Sequence, residues 1–263
     1  MTPDTTALVR PRPLMTLPGV YAPQDDTRLL LHALYREGIG PGTELLDLGT
    51  GSGALALGAA RRGAHVTAVD IAWRAVLTTW LNARLAGLPL TVRRGDLATA
   101  ARGRTFDLLV SNPPYVPAPG RRPPRGAARA WDAGRDGRLL IDRICDLAPA
   151  ALRPGGVLLM VHSGLCGTGD TLSRLSRSGL RAEVGDRAHI PFGPVLRSRI
   201  AWLHRNGLLD VPGDSSPHTE DRPHTEDSPY TEDSPYTEEL VIIRAERPIH
   251  ATHAIHAIHA ERP

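Results

Sequence analysis

The chain has 263 residues, 41% of them hydrophobic and 22% charged, with a formal net charge of +3. That balance fits a soluble globular protein of one ordinary domain plus extra segments. No apolar stretch is long enough to cross a bilayer and no basic segment with an apolar run opens the chain, so neither a membrane anchor nor a secretory signal is expected.

The two cysteines, Cys145 and Cys166, fall in different predicted elements and suggest no disulfide framework. A cytoplasmic location is the expectation. Every basic side chain is arginine, and Arg121, Arg122, Arg125 and Arg129 crowd into one Pro/Gly-rich stretch. Such a cluster suits an acidic or RNA-bearing partner, or simply a solvated loop in an arginine-rich chain.

Apolar runs alternate with helical patterns along the chain. Residues 43–49 ("TELLDLG") read as a buried strand, and 54–63 as the helix after it. A second strand is expected over 64–70, a helix over 72–87, a third strand over 90–96 and a fourth over 106–112. A helix over 137–152 and a fifth strand over 156–163 complete this series. Short strands alternating with helices mean βαβ units, so the fold expected is α/β, a Rossmann-like, doubly wound, seven-stranded and mostly parallel sheet. Farther on, the pattern predicts a helix over 171–179, a strand over 181–190 and a helix over 195–207.

A hexad repeat, "PHTEDR-PHTEDS-PYTEDS-PYTEEL", occupies 217–240. It is acidic and nearly free of aliphatics, so it lacks the apolar surface to order itself. The run "ELVIIRAE" (239–246) then reads as the last strand of the sheet. The expected organisation is a flexible N-terminus over 1–13, one domain from 14–211 plus 239–247, a disordered insertion over 212–238 and a disordered His-rich tail over 248–263. In that tail His250, His253, His256 and His259 recur every third residue. That interval drifts around a helix and has no carboxylate or Cys beside it, so no metal site is expected.

Between the first strand and its helix stand Gly49, Gly51 and Gly53. Glycines there let the backbone turn tightly and let a ligand approach it. Asp70 closes the second strand, where an acid takes the ribose hydroxyls of a nucleoside cofactor. A nicotinamide, a flavin or S-adenosylmethionine (SAM) could use such a loop. Two features favour SAM. The spacing is GxGxG preceded by Asp47 rather than the dinucleotide GxGxxG, and a second acid, Asp96, ends the third strand.

"VSNPPYV" (110–116) ends the fourth strand at the same rim. Pro113 and Pro114 have no N–H, and Pro113 pushes Asn112 toward extended backbone. The strand end therefore offers the Asn112 oxygen and backbone carbonyls with almost no competing donors, a nest for a planar –NH2 group. Tyr115 adds a flat face for stacking on a planar amide or base. Accepted hydrogen bonds would favour pyramidalisation of the nitrogen and aim its lone pair at a sulfonium methyl group, so positioning and electrostatics would carry the rate. His162, Trp73, Trp80 and Trp131 are expected to be packing residues, and "WDAGRDG" (131–137) either caps the following helix or closes over substrate.

"LDLGTGSG", "VD", "GDL" and "SNPPY", in this order, resemble the class I SAM-dependent methyltransferases with an Asn-Pro-Pro-Tyr signature. Within them the chain is similar to the release-factor glutamine methyltransferase (HemK-like) group, and "GVYAPQDDTRLL" (19–30) resembles that group's segment before the first helix. The resemblance implies cofactor contacts at Asp26, Thr27, Gly49, Gly51, Asp70 and Asp96, and substrate amide contacts at Asn112 and Pro113. It implies methylation of a glutamine side chain in a protein such as a release factor. The alternatives are an N6-adenine methyltransferase acting on DNA or RNA, and a nicotinamide enzyme or a non-catalytic SAM sensor. Few residues precede the "YAPQDDT" segment, so the chain looks more like the short archaeal and eukaryotic branch, whose members often work with a small zinc-binding activator subunit.

Overall fold

The computed structural model describes residues 14–101, 103–120, 124, 126–209 and 236–249. Helix α1 (Asp25–Arg36) leads into β1 (Glu44–Leu48), α2 (Ala54–Ala60), β2 (His65–Asp70), α3 (Trp73–Ala86) and β3 (Leu90–Arg94). A short α4 (Leu97–Ala100) precedes β4 (Phe106–Ser111), and a 3-10 turn (Gly126–Ala130) precedes α5 (Leu139–Ala151) and β5 (Leu152–Ser163). Then come α6 (Thr168–Arg177), β6 (Arg181–Pro191), α7 (Pro194–Arg197), α8 (Ile200–Arg205) and β7 (Thr237–Glu246).

The seven strands form one sheet in the order β3-β2-β1-β4-β5-β7-β6. Strands β1 to β5 run parallel, and β7 is antiparallel to both β5 and β6. The chain winds outward from β1 to β3 and then returns to β4, so strand order reverses between β1 and β4. Crevices at that reversal, at the carboxyl ends of the strands, are where open α/β sheets take ligands. Sequence dictates the layering. In β1, β4 and β5 consecutive residues are buried, because helices cover both faces. Edge strand β6 alternates between exposed and half-buried residues instead.

Four sequence expectations change. The helix read over 195–207 is two short ones, broken at Ser198 and Arg199, where the Arg199 N–H returns to the Leu196 carbonyl. Strand β5 starts earlier than read, at Leu152, where it pairs with Phe106. Strand β7 starts at Thr237, so 236–238 belong to the folded domain and not to a disordered insertion. Trp73 and Trp80 are 55% and 47% exposed and are not packing residues. The expectations for 1–13, for most of the hexad repeat and for the histidines of the tail lie outside the described residues. Among the described residues, no helix is long and apolar enough to cross a membrane.

Candidate active site

The turn after β1 makes the first wall. Gly49, Gly51 and Gly53 all have positive φ, at 75°, 56° and 83°, which explains glycine at each point where the chain reverses into α2. At Gly49 and Gly51 a Cβ would stand in open space, with only the Gly49 carbonyl 3.9 Å from the second, so the backbone lies bare to the cavity. Gly53 faces the other way: a Cβ there would lie 2.9 Å from Thr79 Cγ2.

Asp70, at the end of β2, holds this turn. Its Oδ2 accepts the Gly51 N–H (3.1 Å) and its Oδ1 the Ala72 N–H (2.8 Å). Burial raises its pKa, opposed by those backbone donors. Asp96 closes the far end and is ion-paired with Arg143 from α5.

The second wall is the end of β4. The Ser111 hydroxyl donates to the Leu48 carbonyl (2.7 Å) and locks β4 to β1 at the rim. Asn112 Nδ2 donates to Thr27 Oγ1 (3.3 Å), whose hydroxyl donates to Asp26 Oδ1 (3.1 Å). The amide is thus oriented by its nitrogen, which leaves Oδ1 as the acceptor for a donor in the cavity. Pro113 and Pro114 contribute no N–H to this wall.

Asp26 gathers the third wall. Its Oδ2 accepts both the Tyr21 hydroxyl (2.8 Å) and the Tyr115 hydroxyl (3.1 Å), and its Oδ1 also takes the Thr27 N–H. Burial and the Asp26 charge push both phenols up from their ordinary range, so both stay protonated as donors. Glu238 of β7 lies against this cluster, 4% exposed; burial pushes it up to about 7, a Ser163 hydrogen bond pulls it down and the Asp26 charge pushes it up.

Together these walls enclose a cavity of about 240 Å³. Asp26, Thr27, Gly49, Gly51, Asp70, Asp96, Asn112, Pro113 and Tyr115, all expected at the site, line this cavity. Two further residues expected at the cofactor, Asp47 and Gly53, do not line it. Asp47 is fully buried and accepts the Thr50 hydroxyl (2.7 Å), which makes it a brace behind the glycine turn. Tyr115 lines the cavity while only 9% exposed, its hydroxyl tied to Asp26. Sequence reading missed Tyr21, Trp131, Arg129 and Arg143, all of them lining the cavity. Tyr21 lay in the quoted segment before α1, and Trp131 in the polar turn before α5.

That turn closes the start of α5: Asp136 Oδ1 accepts the Arg138 N–H (3.0 Å) and the Ala133 carbonyl accepts the Leu139 N–H (3.0 Å). It also pairs with the loop after Tyr115: Val116 N–H donates to the Trp131 carbonyl (2.8 Å) and Ala133 N–H to the Val116 carbonyl (3.0 Å). His162 is buried and neutral, its Nδ1 bonded to the Ser163 carbonyl (2.8 Å), and burial lowers its pKa to about 4.

A family model for the methyltransferase small domain matches residues 12–122. A chain named as a protein N5-glutamine methyltransferase of Methanocaldococcus jannaschii is 32% identical over 181 residues, 68% of this chain and 90% of its own. The chain belongs to the HemK-like class I methyltransferases. A release factor glutamine methyltransferase of Deinococcus radiodurans is 40% identical to this methyltransferase over 146 residues, 52% of each. The methyltransferase therefore spans about half the length of that bacterial relative. The E. cuniculi Mtq2–Trm112 complex, described as responsible for methylation of the termination factor eRF1, shares the fold. Its TM-score is 0.54 at 23% identity, over 87% of the methyltransferase and 99% of that chain.

Proposed function

We propose that this methyltransferase uses SAM to methylate the side-chain amide nitrogen of a glutamine in a peptide chain release factor. The observation that carries the reading is the Asn112 amide, its nitrogen held by Thr27 beside two consecutive prolines. The cavity residues fit the cofactor. Bare backbone at Gly49 and Gly51 suits a nucleoside pressed against the chain, Asp70 a ribose, and Asp96 an adenine amine. When bound, SAM supplies an electrophilic methyl group.

The chain's own contribution is geometric. Asn112 Oδ1 and the Pro113 carbonyl accept the two hydrogens of the glutamine amide and draw its lone pair out of conjugation. The Thr27–Asp26 relay keeps Asn112 from presenting its donor side, and the tyrosines fix Asp26 in turn. The nitrogen gains acidity only as the bond to carbon forms, so positioning replaces a strong base.

The test uses purified chain, labelled SAM, and release factor or adenine-containing DNA as acceptors. Label is expected on the release factor, at a glutamine, with loss of about 10²-fold or more in kcat for Asn112→Ala. Label on DNA alone would overturn the reading.

Helix α3 supports a partner. Trp73, Leu77 and Trp80, spaced on one face of α3, and Ile71 just before it are 55%, 37%, 47% and 51% exposed, β3 is an edge strand among the described residues, and an exposed apolar stripe together with a strand edge marks a docking face. The proposed occupant is a small zinc-binding activator subunit. Co-expression with such a subunit should give a 1:1 complex on gel filtration that Trp80→Glu abolishes; no complex, or one that Trp80→Glu leaves intact, removes this part of the reading.

A further inference from the structure

Helix α3 turns an unusual face inward. Its buried positions are Ala75, Thr78, Thr79, Asn82 and Ala83, small or polar throughout. Asn82 is 4% exposed, and every polar atom of its amide is used. Oδ1 accepts the Met15 N–H (3.0 Å), while Nδ2 donates to the Met15 carbonyl (2.9 Å) and to the Ser52 carbonyl (2.9 Å). One side chain therefore joins the segment before α1 to the glycine turn after β1, across sequence separations of 67 and 30 residues.

Its neighbours on α3 reinforce both grips. Thr79 Oγ1 donates to the Gly51 carbonyl (3.0 Å), and Arg74 Nη1 donates to the Pro18 carbonyl (3.1 Å). The segment 15–21 is thus a strap pinned at Met15 by Asn82, at Pro18 by Arg74 and at Tyr21 by Asp26. Gly19, Val20 and Tyr21 from this strap line the cavity, and so do Gly51 and Ser52 from the turn.

We infer that Asn82 is a positioning residue for the cofactor: its buried amide couples the strap over the cavity to the glycine turn beneath it, so the two walls hold SAM as a unit. Asn82 touches no reacting atom. Loosening it releases the strap and the turn together, which shortens the residence of the cofactor, while the Asn112 nest keeps the anchors that Tyr115 and Thr27 give Asp26. A glutamine would carry the amide one methylene too far to meet both Met15 and Ser52. An aspartate would point a second acceptor at two carbonyls, which is worse than an empty space because buried acceptors would be left facing one another.

This inference rests on SAM being the ligand of the cavity, and the experiment separates the two. Wild type, Asn82→Ala and Arg74→Ala are titrated with SAM by calorimetry, and amide hydrogen exchange is followed over residues 14–21. The Arg74 side chain is exposed, so its removal spares the core. Expected are wild-type binding, a rise in the SAM dissociation constant of about tenfold or more for Asn82→Ala and about threefold for Arg74→Ala, and faster exchange at the Met15 and Val20 amides. With SAM saturating, kcat should fall by a smaller factor than the affinity for SAM does, a split that general destabilisation does not produce; an equal fall in both would overturn the proposal. Wild-type binding with unchanged SAM affinity in the variants would sink the role of Asn82 alone. No binding by wild type would sink the cofactor reading and this inference with it. Should Asn82→Ala fail to fold, Arg74→Ala decides, and unchanged affinity and exchange there overturn the proposal.

Discussion

Asp47 and Asp26 are both buried acids beside the same cavity, yet their neighbours divide their roles. Asp26 accepts four donors from Tyr21, Tyr115 and Thr27 and serves as the hub of the site. Asp47 accepts one bond from Thr50, and its Oδ1 has no partner. Burial pushes Asp47 up to about 7, with the Thr50 bond pulling the other way, and Glu238 is likewise pushed up to about 7. In an unfolded chain both would titrate near their usual values, about 4. Between roughly pH 4 and pH 7 the native state keeps protons that the unfolded state has lost, so stability falls as pH rises through that window. Asp47→Asn keeps an acceptor for Thr50 and removes one titration. Its denaturant midpoint should decline less between pH 5 and pH 8 than that of wild type, with the variant ahead at pH 8 by on the order of 2 kcal/mol. Parallel midpoint curves would show that Asp47 is not a strained acid in the folded state.

Among the elements, the loop that follows Asn112 depends on a brace from distant sequence. Arg199, at the break between α7 and α8, pairs with Asp132 (2.7 Å) and donates to the Pro117 carbonyl (2.8 Å). Gly137 closes the other side: a Cβ there would sit 2.3 Å from the Tyr115 carbonyl oxygen and 2.7 Å from Cys166 Sγ, at a φ of +74°. Arg199→Gln should therefore lower kcat several-fold more than it raises the KM for SAM, because it frees the amide-binding loop and leaves the glycine turn alone. Equal effects on both constants would place Arg199 in general stability only. None of this brace was legible in the sequence, since its contacts join residues 82 apart. What was legible is local. The glycine turn and "SNPPY" state their conformations through φ and missing donors, and the alternating strands and helices state the sheet. Helix α3 misled for a physical reason: its inward face is made of alanine, threonine and asparagine because it grips backbone carbonyls. Its tryptophans, the residues that look like core, face out.

For the molecule as a whole, the hexad repeat interrupts the sheet just before the strand that completes it. Strand β7 sits between β5 and β6 and contributes Leu240, Val241, Ile242 and Ile243, all fully buried, to the core. The repeat looked uniform over 217–240, but residues 236–240 of its fourth copy belong to the fold. The Tyr236 ring stacks on Phe192 at 5.9 Å, its hydroxyl meets His204 Nε2 at 3.0 Å, and Glu238 and Leu240 are buried. The first three copies, 217–234, are thus separable from the fourth. Loop-closure entropy changes by only about 0.6 kcal/mol for each doubling of length, so excising three hexads should shift stability by about 1 kcal/mol or less. Deletion of 217–234 is expected to leave the melting temperature and methyl transfer near those of wild type. Deletion of 217–240 also removes Tyr236, Glu238 and Leu240, and should abolish the cooperative melting transition, because the paired middle of the sheet loses the start of its last strand. If both deletions melt alike, the fourth copy is not part of the fold. If the shorter one alone destroys activity while the sheet still melts cooperatively, the first three copies contact the substrate.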